Sequence, residues 1–273
     1  MTSHPRATTA SAAPVLHETS GTIAVLTLNS PASRNALSEE MIAALHAAID
    51  KSAADRAVRA VVITANGTAF CAGHDLKQLT ARRSDTDRGR SYFHHIMTSC
   101  AAMMQAIVHC PKPVIAAVNG VATAAGCQLV ATCDLAVASS QAKFATPGVD
   151  IGLFCSTPMV ALTRNIPRKQ AMEMLLTGDA ISAETAVGLG LINHVVEPGN
   201  ERDAAIALAQ RIAQKSAHVL KIGKTAFYRQ AEMSLADAYA YAAEVMTENM
   251  MARDANEGIS AFIEKRPPRW EDQ

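Results

Sequence analysis

The hydrophobic pattern of this chain changes period several times, and each change marks an element. Residues 21–29, "GTIAVLTLN", are β-branched and alternating and predict a strand. "SEEMIAALHAAIDKSAAD" places apolar residues at helical spacing, with Ser38 as the N-cap and Glu39 and Glu40 in the first turn. "VRAVVITANG" predicts a buried strand ending at Asn66-Gly67, and "KPVIAAVNG" and "DLAVASS" predict two more; "AKFATPG" is short and extended. A helix rich in Met and His is expected over about 92–108, and another after the small-residue turn, ending near Thr132. "STPMVALTRNIPRKQAMEMLLTG" predicts helix interrupted at Pro167, and "ISAETAVGLGLINHVVE" a short helix, Gly190 and a strand. "TARRSDTDRGRS" mixes charges without a period and predicts a mobile surface loop. Beyond Asp203 the pattern is helical throughout, over 203–215, 219–229, 235–251 and 254–265.

Strands alternating with helices imply an α/β architecture, and the helix-only block implies a C-terminal appendage. The expected division is a disordered N-terminal tail over 1–17, a core over 18–202 and a helical region over 203–273. No fixed-period repeat runs through the chain. Hydrophobic content of 49% against 18% charged residues suits a buried core and excludes global disorder. Aromatics are only 4%, so the core must be built from Ala, Val, Leu, Ile and Met, which lets elements approach closely. With 25 basic and 25 acidic residues the net charge is zero, which removes the simplest argument for a nucleic-acid partner. Apolar runs are broken by Asn119-Gly120 or by Asp134, so no membrane span is expected. The six cysteines show no CxxC or zinc-finger spacing and predict reduced thiols in a cytoplasmic compartment. The first residues are rich in Ser, Thr and Ala, with Arg6 and no acid; they resemble a transit peptide, which makes the mitochondrial matrix the alternative location.

Two turns carry the candidate chemistry. "NGTAFCAGHDLKQL" holds Ala72-Gly73, and "ATAAGCQL" holds Ala124, Ala125 and Gly126. Residues without bulk let a backbone N–H approach a ligand oxygen. Two such groups, one at a helix N-terminus, would polarise a carbonyl and hold an enolate. Losing one donor from such a site typically costs about 2.7–4 kcal/mol. Each turn alone reads more readily as tight packing at a strand-to-helix junction; the pair is the more informative signal.

Taken together, "RNAL", "FCAGHDL", "PVIAAVNGVATAAGCQLVATCDLAVAS", "FATPGVDIGL" and "LTGDAISAETAVGLGLINHVV" resemble the crotonase (enoyl-CoA hydratase/isomerase) superfamily over residues 23–268. The resemblance implies a spiral of ββα units, a C-terminal helical trimerisation region, and a homotrimer or dimer of trimers. It implies an acyl-CoA ligand, with CoA entering as part of the thioester and no separate cofactor. Carried over residue by residue, the oxyanion N–H groups fall on Ala72 and Ala125, and Asp75 matches the structural acid after the first turn. Arg34, Lys77, Phe262 and Lys265 lie where family members contact CoA phosphates or the adenine. His74, between Gly73 and Asp75, has two readings from the sequence: a ring turned toward the pocket, or a packing or surface residue.

The sequence departs from the hydratase pattern at its acid–base pair. The positions of the two usual glutamates hold Gln128 and Gly148, spaced 20 residues apart without a gap. Glutamine can orient a water but cannot take a proton, and glycine has no side chain. General acid–base assistance is worth roughly 10²–10⁴-fold per group, so ordinary hydration should be crippled. Asp150 would face the same way as Gly148 in an extended segment and is the candidate replacement acid. Cys155 and Ser156 lie near where other members place an acid for isomerisation, although a buried Cys is usually inert. His46, His94, His95 and His109 show no converging carboxylate or Cys pattern, so no metal site is assigned. Met97, Met103 and Met104 predict core or pocket wall, and Glu173 a structural acid on its helix. Three readings follow: a hydratase/isomerase-like enzyme, an acyl-CoA-binding pseudoenzyme, and a structural partner of an active paralogue.

Overall fold

In the computed structural model, which describes residues 13–273, Val15–Ser20 (β1) and Ile23–Leu28 (β2) pair antiparallel, with Val15 opposite Leu28. The expected tail therefore stops short of residue 17, because Val15 and Leu16 gain strand partners; its first twelve residues lie outside the described part. Glu39–Ala54 (α1) follows, with the Ser38 hydroxyl accepting from the Met41 N–H, as its sequence predicts. Ala60–Ala65 (β3), Ala69–Cys71 (β4) and Leu76–Ala81 (α2) come next.

The polar segment after α2 is not a loop without structure. Arg82–Ser84 makes a 3₁₀ turn and Arg90–His109 is helix (α3). The Asp87 carboxylate accepts from the N–H groups of Gly89 and Ser91 at 3.0 and 2.9 Å. The Arg82 guanidinium lies 4.7 Å from the Tyr92 ring centre and Arg83 5.7 Å from that of Phe93. Charges that suggested solvation are used to fold the segment back on α3.

Val114–Val118 (β5), Val121–Thr123 (β6), Ala125–Thr132 (α4), Leu135–Ser139 (β7) and Lys143–Ala145 (β8) continue the chain. Ser156–Asn165 (α5), Arg168–Thr177 (α6), Ile181–Ser182 (β9), Ala183–Leu189 (α7) and His194–Val196 (β10) complete the sheets. One sheet has the order β1-β2-β3-β5-β7-β10 and the other β4-β6-β8-β9. β3, β5 and β7 each give way to a short strand in the second sheet, so successive turns of chain place one strand in each layer. That is the expected spiral of ββα units.

β5 shows why these strands read as apolar runs. Val114, Ala116 and Val118 face the main core, while Ile115 and Ala117 face a second cluster under Glu201–Ala213 (α8). Ala205 and Ala209 of α8 are fully buried against Ile23, Val25, Val62 and Val137. The expected boundary at residue 203 thus cuts through a helix that belongs to the core. Ala217–Gln230 (α9), Leu235–Met251 (α10) and Arg253–Glu264 (α11) form the true appendage. It is anchored where the Lys224 ammonium and the Tyr228 hydroxyl both meet the Asp134 carboxylate, at 2.7 and 2.8 Å. α10 buries no residue and leaves Leu235, Tyr239, Met246 and Met251 exposed.

Among the described residues no helix is long and apolar enough to cross a membrane. None of their His, Cys, Asp and Glu side chains group as a metal site would need. All six cysteines are free and buried.

Candidate active site

The two small-residue turns meet. Gly73 has φ of 88°, and a Cβ built on it would lie 3.0 Å from the Ala124 Cβ and 3.4 Å from the Ala125 backbone nitrogen. Glycine is required here both by the left-handed backbone and by the close approach. Ala124 itself is held at φ 51° and ψ −118°, a conformation that residues with a Cβ rarely adopt. The bend turns the chain from β6 into α4, so that Ala125 is the first helical residue. Its N–H has no hydrogen-bond partner among the described residues, as helix geometry leaves the first donors free.

Ala72 does not supply the second donor. Its N–H donates to the Arg34 carbonyl at 3.1 Å. Leu37 pairs with the other edge of the same turn: its N–H donates to Gly73 at 2.7 Å and its carbonyl accepts from Asp75 at 3.3 Å. Backbone groups of successive extended residues alternate in direction, so the His74 N–H points away from Leu37. It has no partner among the described residues. The unengaged donors are therefore His74 and Ala125, one residue beyond the expected position in the first turn.

Segment 34–37 holds this turn in place. Arg34 and Asn35 both have left-handed backbone, with φ of 55° and 54°. Asn35 is fully buried; its side-chain carbonyl accepts from the Ser30 N–H at 2.8 Å, and its amide donates to the carbonyls of Asn66 and Ala69 at 2.8 and 2.9 Å. Nothing in its spacing marks Asn35 as the organiser; the only signal is its place in "RNAL". Asp75 caps α2, accepting from the N–H groups of Lys77 and Gln78 at 2.9 and 3.2 Å. Exposed Arg34 and Lys77 thus flank the turn, on the solvent side.

Two polar atoms beside these turns are buried without a partner: His74 Nε2 and Gln128 Oε1. Gln128 is 5% exposed and lies one helical turn after Ala125, where side chains lean back toward the N-terminus of the helix. Burial holds the His74 imidazole below its ordinary pKa, so the ring is neutral at pH 7.

The second glutamate position differs from the sequence reading. Pro147–Ile151 is a 3₁₀ turn rather than an extended run, so alternation does not apply. Gly148 is buried and Asp150 exposed. The Asp150 carboxylate oxygens lie 3.1 and 3.3 Å from where a Cβ on Gly178 would sit, over the turn that ends α6. Asp150 is a turn residue at the surface, not a carboxylate placed beside Gly148. A Cβ on Gly148 would lie 2.7 Å from the Leu153 carbonyl and 2.9 Å from Cys155 Sγ. The Cys155 sulfur fills the space a side chain would need. Burial pushes its thiol pKa up, partly offset by a hydrogen bond from the Gly148 N–H. Ser156 is exposed and donates to the Phe154 carbonyl at 3.3 Å.

Phe262, 86% exposed, and Lys265 lie at the end of α11, which packs chiefly on α9 and α10. Within one chain they are not brought to the two turns. Met103 and Met104 are core residues, and Met97 packs against the same core. His95 and His46 make surface contacts with Glu39 and Asp50 at 3.4 and 3.7 Å.

The fold and the paired turns define a crotonase-type α/β protein. A family model described as enoyl-CoA hydratase/isomerase matches residues 18–273, and the chain belongs to that family. It is 49% identical over 243 residues to enoyl-CoA hydratase domain-containing protein 3, mitochondrial, from Xenopus laevis, covering 89% of this chain and 81% of that one. The protein of the same name from Homo sapiens is 45% identical over 245 residues, covering 90% and 79%. The crystal structure of human enoyl-CoA hydratase domain-containing protein 3 superimposes with a TM-score of 0.89 at 44% identity, covering 94% of this chain and all (100%) of that chain. An enoyl-CoA hydratase from Mycobacterium smegmatis gives 0.90 at 50% identity, covering 94% and 98%.

Proposed function

We propose that the protein binds an acyl-CoA thioester and polarises its carbonyl between the backbone N–H groups of His74 and Ala125. The observation that carries this reading is the pairing of two unengaged donors across the Gly73–Ala124 contact, one of them at the N-terminus of α4. Such donors act on the oxygen as it gains charge, so they stabilise an enolate-like state more than the bound ground state. Arg34 and Lys77 would meet the CoA phosphates, a reading supported by their exposure beside the first turn. Phe262 and Lys265 would reach the CoA of a neighbouring subunit in a homotrimer or dimer of trimers, an assembly supported by the unburied apolar face of α10. The protein needs no metal or redox cofactor for this role. Its place is in fatty acyl-CoA metabolism, and the mitochondrial names of its relatives favour the matrix over the cytoplasm.

A second reading, a thioester-binding protein without hydratase chemistry, is favoured by Gly148. The position has neither a carboxylate nor room for one, and Gln128 cannot accept a proton. The test is calorimetric titration with crotonyl-CoA alongside its hydration rate. Binding with hydration at least about 10²–10⁴-fold below that of a two-glutamate relative is expected. Absence of binding would overturn both readings, and hydration at an ordinary rate would overturn the second.

A further inference from the structure

Four side chains near the two turns could handle a proton, and the structure removes three of them. Asp150 is exposed and turned over Gly178. Asp75 is committed to the α2 cap. Cys155 is buried against Gly148, where its neutral thiol accepts the Gly148 N–H. His74 remains. Its Nε2 is buried with no hydrogen-bond partner among the described residues, an arrangement that is costly unless a ligand completes it. It also stands on the residue whose N–H is unengaged and points away from Leu37. Gln128, nine-tenths buried and with an equally unpartnered Oε1, stands in α4 one helical turn after Ala125. Two unpartnered side-chain atoms, His74 Nε2 and Gln128 Oε1, thus accompany the two unengaged N–H groups of His74 and Ala125.

We propose that the His74 imidazole is the catalytic base of this site, removing and returning a proton at C2 of the bound acyl-CoA, with the Gln128 carboxamide positioning the acyl chain or a water beside it. This rests on the thioester-binding reading above. In the step, the C2–H bond breaks and an N–H bond forms at Nε2, which carries the lone pair when Nδ1 holds the ring proton. The C2–H electron pair becomes the C1=C2 bond, and the carbonyl π pair moves to oxygen, where the His74 and Ala125 N–H groups hold the enolate. Return of the proton regenerates the thioester, so no oxidant, reductant or second substrate is required. The same residue would then serve twice: backbone donor to the oxygen and side-chain base at the adjacent carbon. C2 is bonded to the carbonyl carbon, so the proposal requires the His74 ring to come within hydrogen-bond reach of the carbon next to the oxygen its own N–H holds.

The experiment follows exchange of the C2 protons of hexanoyl-CoA in deuterated water by NMR, with the bound [1-¹³C]carbonyl shift recorded in parallel. Wild type is expected to exchange and to move the carbonyl resonance downfield. His74→Gln keeps the backbone donor and should keep the carbonyl shift, while exchange falls by about 10²–10⁴-fold. His74→Ala gives a second arm: added imidazole should restore part of the exchange. Unchanged exchange in His74→Gln, or no imidazole rescue of His74→Ala, would overturn the assignment. A shifted carbonyl with no exchange in wild type overturns His74 as base and leaves the binding reading standing. An unshifted carbonyl in wild type overturns the binding reading itself, and the base with it.

Discussion

Gly73 stands so close to the start of α4 that a Cβ on it would come within 3.4 Å of the Ala125 backbone nitrogen. This contact brings the two turns together, with the unengaged N–H groups of His74 and Ala125 one on each turn. Gly73→Ala must accommodate a Cβ 3.0 Å from that of Ala124 at a φ of 88°. The expected loss is about 1–3 kcal/mol of stability from backbone strain. Crotonyl-CoA affinity should fall with it. Chemical denaturation and calorimetric titration of the same variant check both, and an unchanged affinity would separate the contact from the site.

Gly148→Glu will not restore hydration. The Cβ alone meets the Leu153 carbonyl at 2.7 Å and Cys155 Sγ at 2.9 Å, so overpacking costs about 1–3 kcal/mol before the carboxylate is considered. Gln128→Glu, nearly the same shape, should fold as wild type does, with its carboxyl pKa raised by burial. Thermal melts of the two variants should therefore differ in magnitude, with a large drop for the first and a small one for the second.

Ala124→Gly should stabilise the protein. The strain of a non-glycine residue at φ 51°, ψ −118° is about 1–3 kcal/mol, against about 0.5–1 kcal/mol of extra backbone entropy for glycine. A gain of about 1 kcal/mol in denaturant titration is expected, and a loss would show that Ala124 is unstrained.

Stability should fall as pH drops below neutral. Burial lowers the folded-state pKa of His17, with Lys51 adding to the effect, and burial lowers that of His74. The unfolded chain, with histidines at 6.5, then binds more protons than the folded one. The stability these neutral rings contribute is present above 6.5 and is lost as pH falls from there through the folded values. Carboxylates held low, such as Glu257 at about 2, act only at more acid pH and do not blur this window. Melting temperatures at pH 7.5 and about 5.5 should differ, and a His17→Gln, His74→Gln double variant should narrow the difference.

Local pattern carried the fold a long way. Ser38 as a cap, Pro167 as a break and the apolar run of β5 were legible because their causes lie within a few residues. "TARRSDTDRGRS" was not, because its order comes from Arg82 and Arg83 reaching the Tyr92 and Phe93 rings. The short strand β6 was hidden by the small-residue turn that follows it. At the site, the two small-residue turns could be read directly. Which N–H is free could not, since it depends on the Arg34 carbonyl, far from Ala72 in sequence. The same limit misplaced Asp150, whose direction is set by a 3₁₀ turn and by Gly178.

The most direct test of the central claim is amide NMR of ¹⁵N-labelled protein titrated with crotonyl-CoA. The amide protons of His74 and Ala125 should move downfield as they take up the thioester oxygen, while that of Ala72, already bonded to Arg34, should stay in place. Movement of Ala72 with His74 unmoved, or no downfield movement in either turn, would contradict the account.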